Sequence, residues 1–417
     1  MSRAGHCRAS ILLVALLCVA CTPPRVAAPA PSPQPVNDEA RGRLAGAYTG
    51  FGLRLFAALH QQTPDQNIFI SPASIALALA MTYNGADGQT RAAMARVLGL
   101  EGLSPDEVNR ASADLRVALA NPDPKVELTI ANSLWVKKGL ALAPLFVQRN
   151  KDYYGAQVTS LPFDSRAPAA INRWVSQNTK GKIDRIVDQI DPQTVLYLIN
   201  AIYLQATWTR PFDRAATAPA SFTLPGGQLK SVAMMAQQGR YHYVRALYGD
   251  RSQGFQAVRL PYGKGRVALY IVLPDAGSSL ADWCSALNER SWQELVGELK
   301  EREGTVRLPR FKAEYSAQLN QALAGLGMGV AFDPQRADFP GITAGSDRVW
   351  IDQVRHRALL EVNEEGTAAA GATEVRIAAS AMAEPPFEMV IDRPFFLAIR
   401  DDQTGALLFV GAVAEPQ

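Results

Sequence analysis

EEGTAAAGATEVRIAASAMAEPP, residues 364–386, is the stretch on which the reading of this chain turns. Thr367 to Ala383 spans 17 residues, eight of them Ala, so composition alone describes a loose connector or a stray helix. The pattern says something else. Every second residue from Thr367 is Thr367, Ala369, Gly371, Thr373, Val375 and Ile377, small at first and then β-branched and apolar. The alternate set, Ala368, Ala370, Ala372, Glu374, Arg376 and Ala378, holds all the charge. One apolar face repeating every two residues is the pattern of a half-buried strand. An Ala-rich connector patterned as a buried strand is built to change state.

Strands are predicted on both sides of it: Val349 to Val362 before, and Phe387 to Ile391, Phe395 to Arg400 and Ala406 to Val413 after. Further back, Glu127 to Val136, Thr194 to Thr207, Phe255 to Leu260 and Arg266 to Leu273 read as strands. The last two flank a hairpin-like loop at Pro261 to Gly265. The earlier chain is helical: Arg41 to His60, Ser71 to Tyr83 and Arg91 to Leu98. Ser71-Pro72 supplies an N-cap and a first-turn proline, while Asn84-Gly85 and Gly99 act as breaks. Helices first and strands later predict an α+β fold with mixed sheets rather than a doubly wound one. No second linker and no internal repeat interrupts residues 41–417, which read as one large domain.

A chain of 417 residues, 48% hydrophobic and 19% charged, has the composition and length to bury a large core. Two of its 42 basic residues, Arg3 and Arg8, precede residue 21, and the rest stand one charge from balance with 39 acids. That balance gives no electrostatic case for nucleic acid. The four histidines, His6, His60, His242 and His356, are too scattered for a His/Cys metal site. No G-x-S-x-G elbow or phosphate-cradling loop is present, and Gly263 to Ala268, which fits G-x-G-x-x-A, joins two strands instead of opening a helix. No catalytic constellation, metal site or cofactor site is expected.

The first 21 residues form a targeting segment, with Arg3 and Arg8 ahead of an apolar run from Ile11 to Ala20. Cys18-Val19-Ala20-Cys21 resembles a bacterial lipoprotein cleavage site with Cys21 as the lipidated residue, although Cys18 stands where that pattern prefers Leu. A plain cleaved signal is the alternative. Residues 22–40 follow as a Pro-rich linker, densest in proline from Pro23 to Pro35. Export to the periplasm or beyond is expected, with membrane attachment only through such an anchor. Cys284, the one cysteine of the body, has no disulfide partner there and reads as a half-buried free thiol.

The stretch 364–386 resembles the reactive-centre loop and hinge of the serpins, and the resemblance runs from about residue 45 to the C-terminus. Asn67 to Ile75 resembles the entry to that family's second helix. Leu198 to Leu204, with Trp208-Thr209-Arg210-Pro211-Phe212, is similar to its central strand and following turn. His356, Asp392-Arg393-Pro394-Phe395-Phe396 and Leu408-Phe409-Val410-Gly411 fall in the right order.

The resemblance implies three β-sheets, eight to nine helices and an exposed loop that can enter the central sheet after cleavage. It implies a monomeric inhibitor of serine-type endopeptidases, extending to some cysteine proteases, and not an enzyme. A serpin fold that has become a binding or chaperone-like protein is the alternative. Carried over, Ser71, Ser74, Asn200 and His356 are the shutter, where strands part. Trp208 and Glu364 are the breach, where insertion begins. Glu364, Glu365, Gly366, Thr367, Ala368, Ala369, Ala370, Gly371 and Ala372 form the hinge, without the acid the family often has at Ala368.

Counting from both ends sets the scissile bond at Ser380–Ala381, with Ala379 and Met382 as neighbours. Small residues there suit an elastase- or subtilisin-like protease. Gly366 to Ser380 spans about 46 Å at roughly 3.3 Å per residue, close to the ~54 Å diameter of such a globule. Thr367 is expected to face inward on insertion but to lie outside the sheet core beforehand.

Overall fold

In the computed structural model, residues 38–120, 122–248, 253–367 and 385–417 are described. They contain nine α-helices, the shortest being Asn320–Leu323, and two hydrogen-bonded sheets.

The six-stranded sheet positions the site. Its order is Phe311–Gln318, Gln353–Val362, Leu196–Thr207, Val126–Lys137 and Gln157–Leu161, with the two-residue strand Gly366–Thr367 also on Leu196–Thr207. The central pair, Gln353–Val362 with Leu196–Thr207, is parallel, whereas Val126–Lys137 lies antiparallel to Leu196–Thr207. Both faces of the central strand are covered. Leu196, Leu198, Ile202, Leu204 and Ala206 join the main core, while Tyr197, Ile199 and Ala201 join a second core with Ile171 and Val175 of the helix Ala167–Asn178. That two-sided burial explains why Leu198 to Leu204 reads as an almost continuous apolar run.

The other sheet has nine strands, and the expected three layers appear here as two ladders for a local reason. The 20-residue strand Leu229–Tyr248 pairs first with Ala218–Thr223, then with Lys300–Pro309 and finally with Gln253–Pro261. One long strand thus joins two sheet layers edge to edge.

The helix Pro72–Tyr83 lies under the six-stranded sheet and is buried at every residue, which fits its all-round apolar sequence. The Ser71 side chain caps it by accepting from Ser74 N–H at 3.3 Å. Its approach is fixed by Asn67, whose side chain bonds Ala414 and Glu415 at the C-terminus.

Several predicted boundaries move. The first helix runs Asp38–Gln62, so three residues assigned to the linker are helical. The predicted strand Val349 to Val362 begins only at Gln353, because its partner strand begins at Leu196 and offers no ladder to the residues before it. The Asp352 carboxylate instead caps Val195 and Leu196 N–H, at 2.5 and 3.0 Å. Helix Pro105–Ala120 is not among the predicted elements, although Ser104 and Glu107 form a reciprocal cap that the sequence displays. Cys284 is fully buried rather than half-buried, and burial pushes its thiol pKa up.

Candidate functional site: the seam and hinge of the six-stranded sheet

Two central strands meet in a direct parallel ladder from Gln353↔Tyr197 to Leu359↔Tyr203. Four buried side chains cross under this seam. His356 and Asn200 are opposite one another in the register, and His356 Nδ1 lies 2.6 Å from Asn200 Oδ1. Asn200 Nδ2 donates to Ser74 Oγ and to Asn132 Oδ1, both at 2.5 Å. Ser71 N–H reaches His356 Nε2 at 3.3 Å.

These bonds fix the protonation state. Nε2 receives a backbone N–H and must be the bare nitrogen, so the proton sits on Nδ1 and is donated to Asn200. The ring is neutral, and complete burial pulls its pKa down to about 3. Ser71, Ser74, Asn200 and His356, singled out in the sequence, are thus one hydrogen-bonded cluster with no exposed surface. Asn132 belongs to it and was missed. The available signal was a polar amide on the inward face of the apolar strand Val126–Lys137, where a buried amide needs a partner.

At the upper end of the seam the chain leaves Gln353–Val362, reverses, and starts down beside Leu196–Thr207. Asn363 makes the reversal: its backbone pairs with Gly366, and its Oδ1 accepts from Glu365 and Gly366 N–H. Gly366 then pairs with Thr207 and Thr367 with Ala206. The φ of Gly366 is 140°, and a Cβ there would lie 2.2 Å from the Ala206 carbonyl oxygen. Only glycine fits.

Thr367 corrects an expectation. It is not outside the sheet core: it is 0% exposed, laddered to the central strand, with its hydroxyl 3.0 Å from that of Tyr262. Tyr262 stacks on Trp208 at 4.3 Å between ring centres. Trp208 in turn donates from Nε1 to the Asn363 carbonyl at 2.9 Å and from its backbone to Glu365.

Glu364 is 5% exposed and accepts from the Thr217 hydroxyl at 2.8 Å, with Arg310 at 3.7 Å. Burial would raise its carboxyl pKa, but hydrogen bonds and the nearby Arg310 and Arg214 hold it below the ordinary value. Glu365 pairs with Arg214. Trp208 and Glu364, singled out in the sequence, occupy one corner together with Tyr262, Asn363, Thr217 and Arg310, which were not. No local motif marks those four; chain reversal brings them there. Ala368, Ala369, Ala370, Gly371, Ala372, Ala379, Ser380, Ala381, Met382 and Cys21 lie outside the described residues.

The family profile described as Serpin (serine protease inhibitor) matches residues 46–416. The chain belongs to the serpin family. Human leukocyte elastase inhibitor is 33% identical to this serpin over 387 residues, covering 90% of this chain and all of the relative. Native protease nexin-1, solved with heparin, superposes with a TM-score of 0.83 at 28% identity, covering 91% of this serpin and 100% of that chain. Human thyroxine-binding globulin, named for what it binds rather than for an inhibited protease, superposes at 0.82 and 27% identity, with coverage of 91% and 100%. Among the described residues no cluster of three or more His, Cys, Asp or Glu could hold a metal ion.

The seam histidine should make this serpin acid-sensitive. Its folded-state pKa is depressed, so its contribution is complete above the unfolded value of about 6.5 and is lost as pH falls toward 3. Between pH 7 and 5 the expected loss is about 2 kcal/mol. Denaturant titrations at both pH values, on wild type and His356→Gln, measure it; equal losses in the two proteins would refute the assignment.

Thr367→Arg should destabilise the intact protein. The cation can avoid burial only if the hinge peels off the sheet, losing bonds worth roughly 0.5–1.5 kcal/mol each. A loss of about 0.5–3 kcal/mol is expected in the unfolding free energy, from one or two such bonds. A midpoint matching wild type would place Thr367 outside the sheet after all.

Proposed function

We propose that this serpin inhibits serine-type endopeptidases as a suicide substrate, by drawing its cleaved loop into the seam of the six-stranded sheet. One observation carries the reading: Gly366 and Thr367 are already paired antiparallel to the top of Leu196–Thr207, aimed down between the two parallel strands. Continuing that register sets Ile377 opposite Leu196, so residues 366–377 match the full 12 residues of the central strand. Thr367, Ala369, Gly371, Thr373, Val375 and Ile377 would then share a face with Ala206, Leu204, Ile202, Asn200, Leu198 and Leu196, which belong to the main core or to the cluster under the seam. Sequence period and sheet register agree.

Thr373 would arrive opposite Asn200, between it and His356, bringing a hydroxyl to the two groups it separates. The new strand widens the gap from one strand spacing, about 4.8 Å, to two. Glu374 and Arg376 fall on the opposite face, level with Ile199 and Tyr197, which the helix Ala167–Asn178 and its sequel now cover. That cover has to lift as they pass. An acyl-linked protease would be carried the length of the strand and its oxyanion hole distorted before water could release it.

Cleavage at Ser380–Ala381 by an elastase- or subtilisin-like enzyme fits the small residues there, and relatives named as leukocyte elastase inhibitors support that class. The chain would act as a monomer. We further infer export through residues 1–21, with a lipid on Cys21 and the Pro-rich linker as a tether.

Incubation with pancreatic elastase and with subtilisin should give a covalent complex that survives boiling in detergent. Cleavage between Ala379 and Met382 by a protease that is not trapped should raise the melting temperature, since up to ten further residues, 368–377, would join the ladder that Gly366 and Thr367 begin on a 12-residue strand. Cleavage without complex, together with an unchanged or lower melting temperature, would show that the loop does not insert.

Cys21→Ala should move the protein from the membrane fraction to the soluble exported fraction. Identical partitioning of wild type and variant would leave residues 1–21 as a cleaved signal only.

A further inference from the structure

The seam closes at its base on a single side chain. Asp352 stands one residue ahead of strand Gln353–Val362 and reaches across to Val195 and Leu196, where the central strand begins. Its Oδ2 accepts from the N–H groups of Val195 and Leu196 at 2.5 and 3.0 Å, and its own N–H donates to the Leu196 carbonyl at 3.1 Å. Oδ1 accepts from Trp350 Nε1 at 2.9 Å. On the other flank, the Asn320 side chain donates to the Asp352 carbonyl at 2.8 Å and accepts from Val354 N–H at 3.0 Å. The foot of the strand is thus held from both sides.

What this clasp lacks is a cation. Lys137, on the neighbouring strand, donates to the Pro192 carbonyl, and Arg355 is bonded to the Tyr197 hydroxyl and to Gln353. The turn Gly329–Phe332, whose Ala331 carbonyl accepts from Ile351 N–H, carries no charge, and neither does helix Asn320–Leu323. The charged group that acts on Asp352 is Asp191, of the same sign. Asp352 is half-buried, and burial pushes its carboxyl pKa up; the bonds from Leu196, Val195 and Trp350 offset this only in part, and Asp191 adds to it. A carboxyl raised in this way contributes stability below its unfolded value of about 3.9, and that contribution is lost as pH rises through the folded value. At neutral pH the ionised group therefore weighs on the closed sheet.

We propose that Asp352 is an ionisation-controlled clasp at the base of the seam, and that its negative charge helps the last rungs of the sheet to part when the cleaved loop arrives. The second half rests on the loop insertion proposed above; the clasp itself does not. In the projected register Ile377 comes opposite Leu196, the place beside it that Asp352 now fills. The backbone of the entering strand would take over the Leu196 bonds, and the displaced carboxylate would regain water. A neutral side chain gains far less by leaving, so the base would stay shut and insertion would stall short of the last rungs. A stalled strand leaves the acyl bond to hydrolysis.

The test is made in Trp350→Phe, because Asp352→Asn alone would set its amide N–H against that of the indole. Against that parent, Asp352→Asn should unfold at a higher denaturant concentration at pH 7. The gap should narrow as pH falls to 4, where the parent's carboxyl takes up its proton. His356 is common to both proteins and cancels. A midpoint at or below the parent's at pH 7, or a gap that does not narrow, overturns the clasp.

With pancreatic elastase at pH 7, Asp352→Asn should raise the ratio of cleaved protein to covalent complex by about threefold or more over the parent. Greater stability without that rise overturns the link to insertion. Absence of complex in wild type as well would count against the loop-insertion reading alone, leaving the clasp to stand on the unfolding data.

Discussion

The parallel ladder between Leu196–Thr207 and Gln353–Val362 is the contact on which the rest depends. It is a closed joint between strands far apart in sequence, covered by a core on each side. A segment of the same chain is patterned to take its place. For the proposed function, such a joint would have to be strong enough to keep the sheet intact and weak enough to open once the loop is cut. Its backbone bonds would be re-formed with an inserted strand and so contribute little to the difference between the two states. The side-chain stitch beneath them behaves differently.

His356, Asn200, Ser71, Ser74 and Asn132 are buried and satisfied by one another. A polar cluster of this kind adds modest net stability when intact, but each unpaired member costs about 1–3 kcal/mol. Opening the seam would pass through a geometry in which His356 and Asn200 have separated and nothing has yet replaced them. The cluster therefore raises the barrier to opening more than it lowers the energy of the closed sheet. Thr373, falling opposite Asn200 in the projected register, supplies a hydroxyl at the depth where that penalty is greatest.

Much of this was legible in the sequence. The two-residue period of 367–377 predicts which face would go inward, and Thr367, the one residue of that face among the described residues, is buried and paired with Ala206. Ser71, Ser74, Asn200 and His356, singled out in the sequence, lie in one hydrogen-bonded cluster. The failures share a cause. Tyr262, Arg310, Thr217 and Asn363 carry no pattern of their own and meet only because strands from four parts of the chain end at one corner. The burial of Thr367 before cleavage was also invisible, since it depends on where the Asn363 turn releases the chain. Nothing in residues 364–367 alone says whether the turn delivers Thr367 above the sheet or within it.

In the proposed mechanism, that early burial would change how insertion begins. A loop wholly outside the sheet would have to nucleate its first ladder bonds after cleavage, fixing backbone at about 1–2 kcal/mol of entropy per residue before any return. Here the first two residues are already laddered, with Gly366 held at a φ only glycine tolerates and Thr367 bonded to Tyr262. Strand addition after cleavage would then be propagation from an existing end. Its rate would be governed by separation of the strands ahead, at Leu359↔Tyr203 and below, not by the search for a start. Trp208, stacked on Tyr262 and bonded to the Asn363 carbonyl, holds that end in place. In the proposed mechanism the corner built around Glu364 and Trp208 would act as the fixed origin of a zipper whose first resisting stitch is the His356–Asn200 bond.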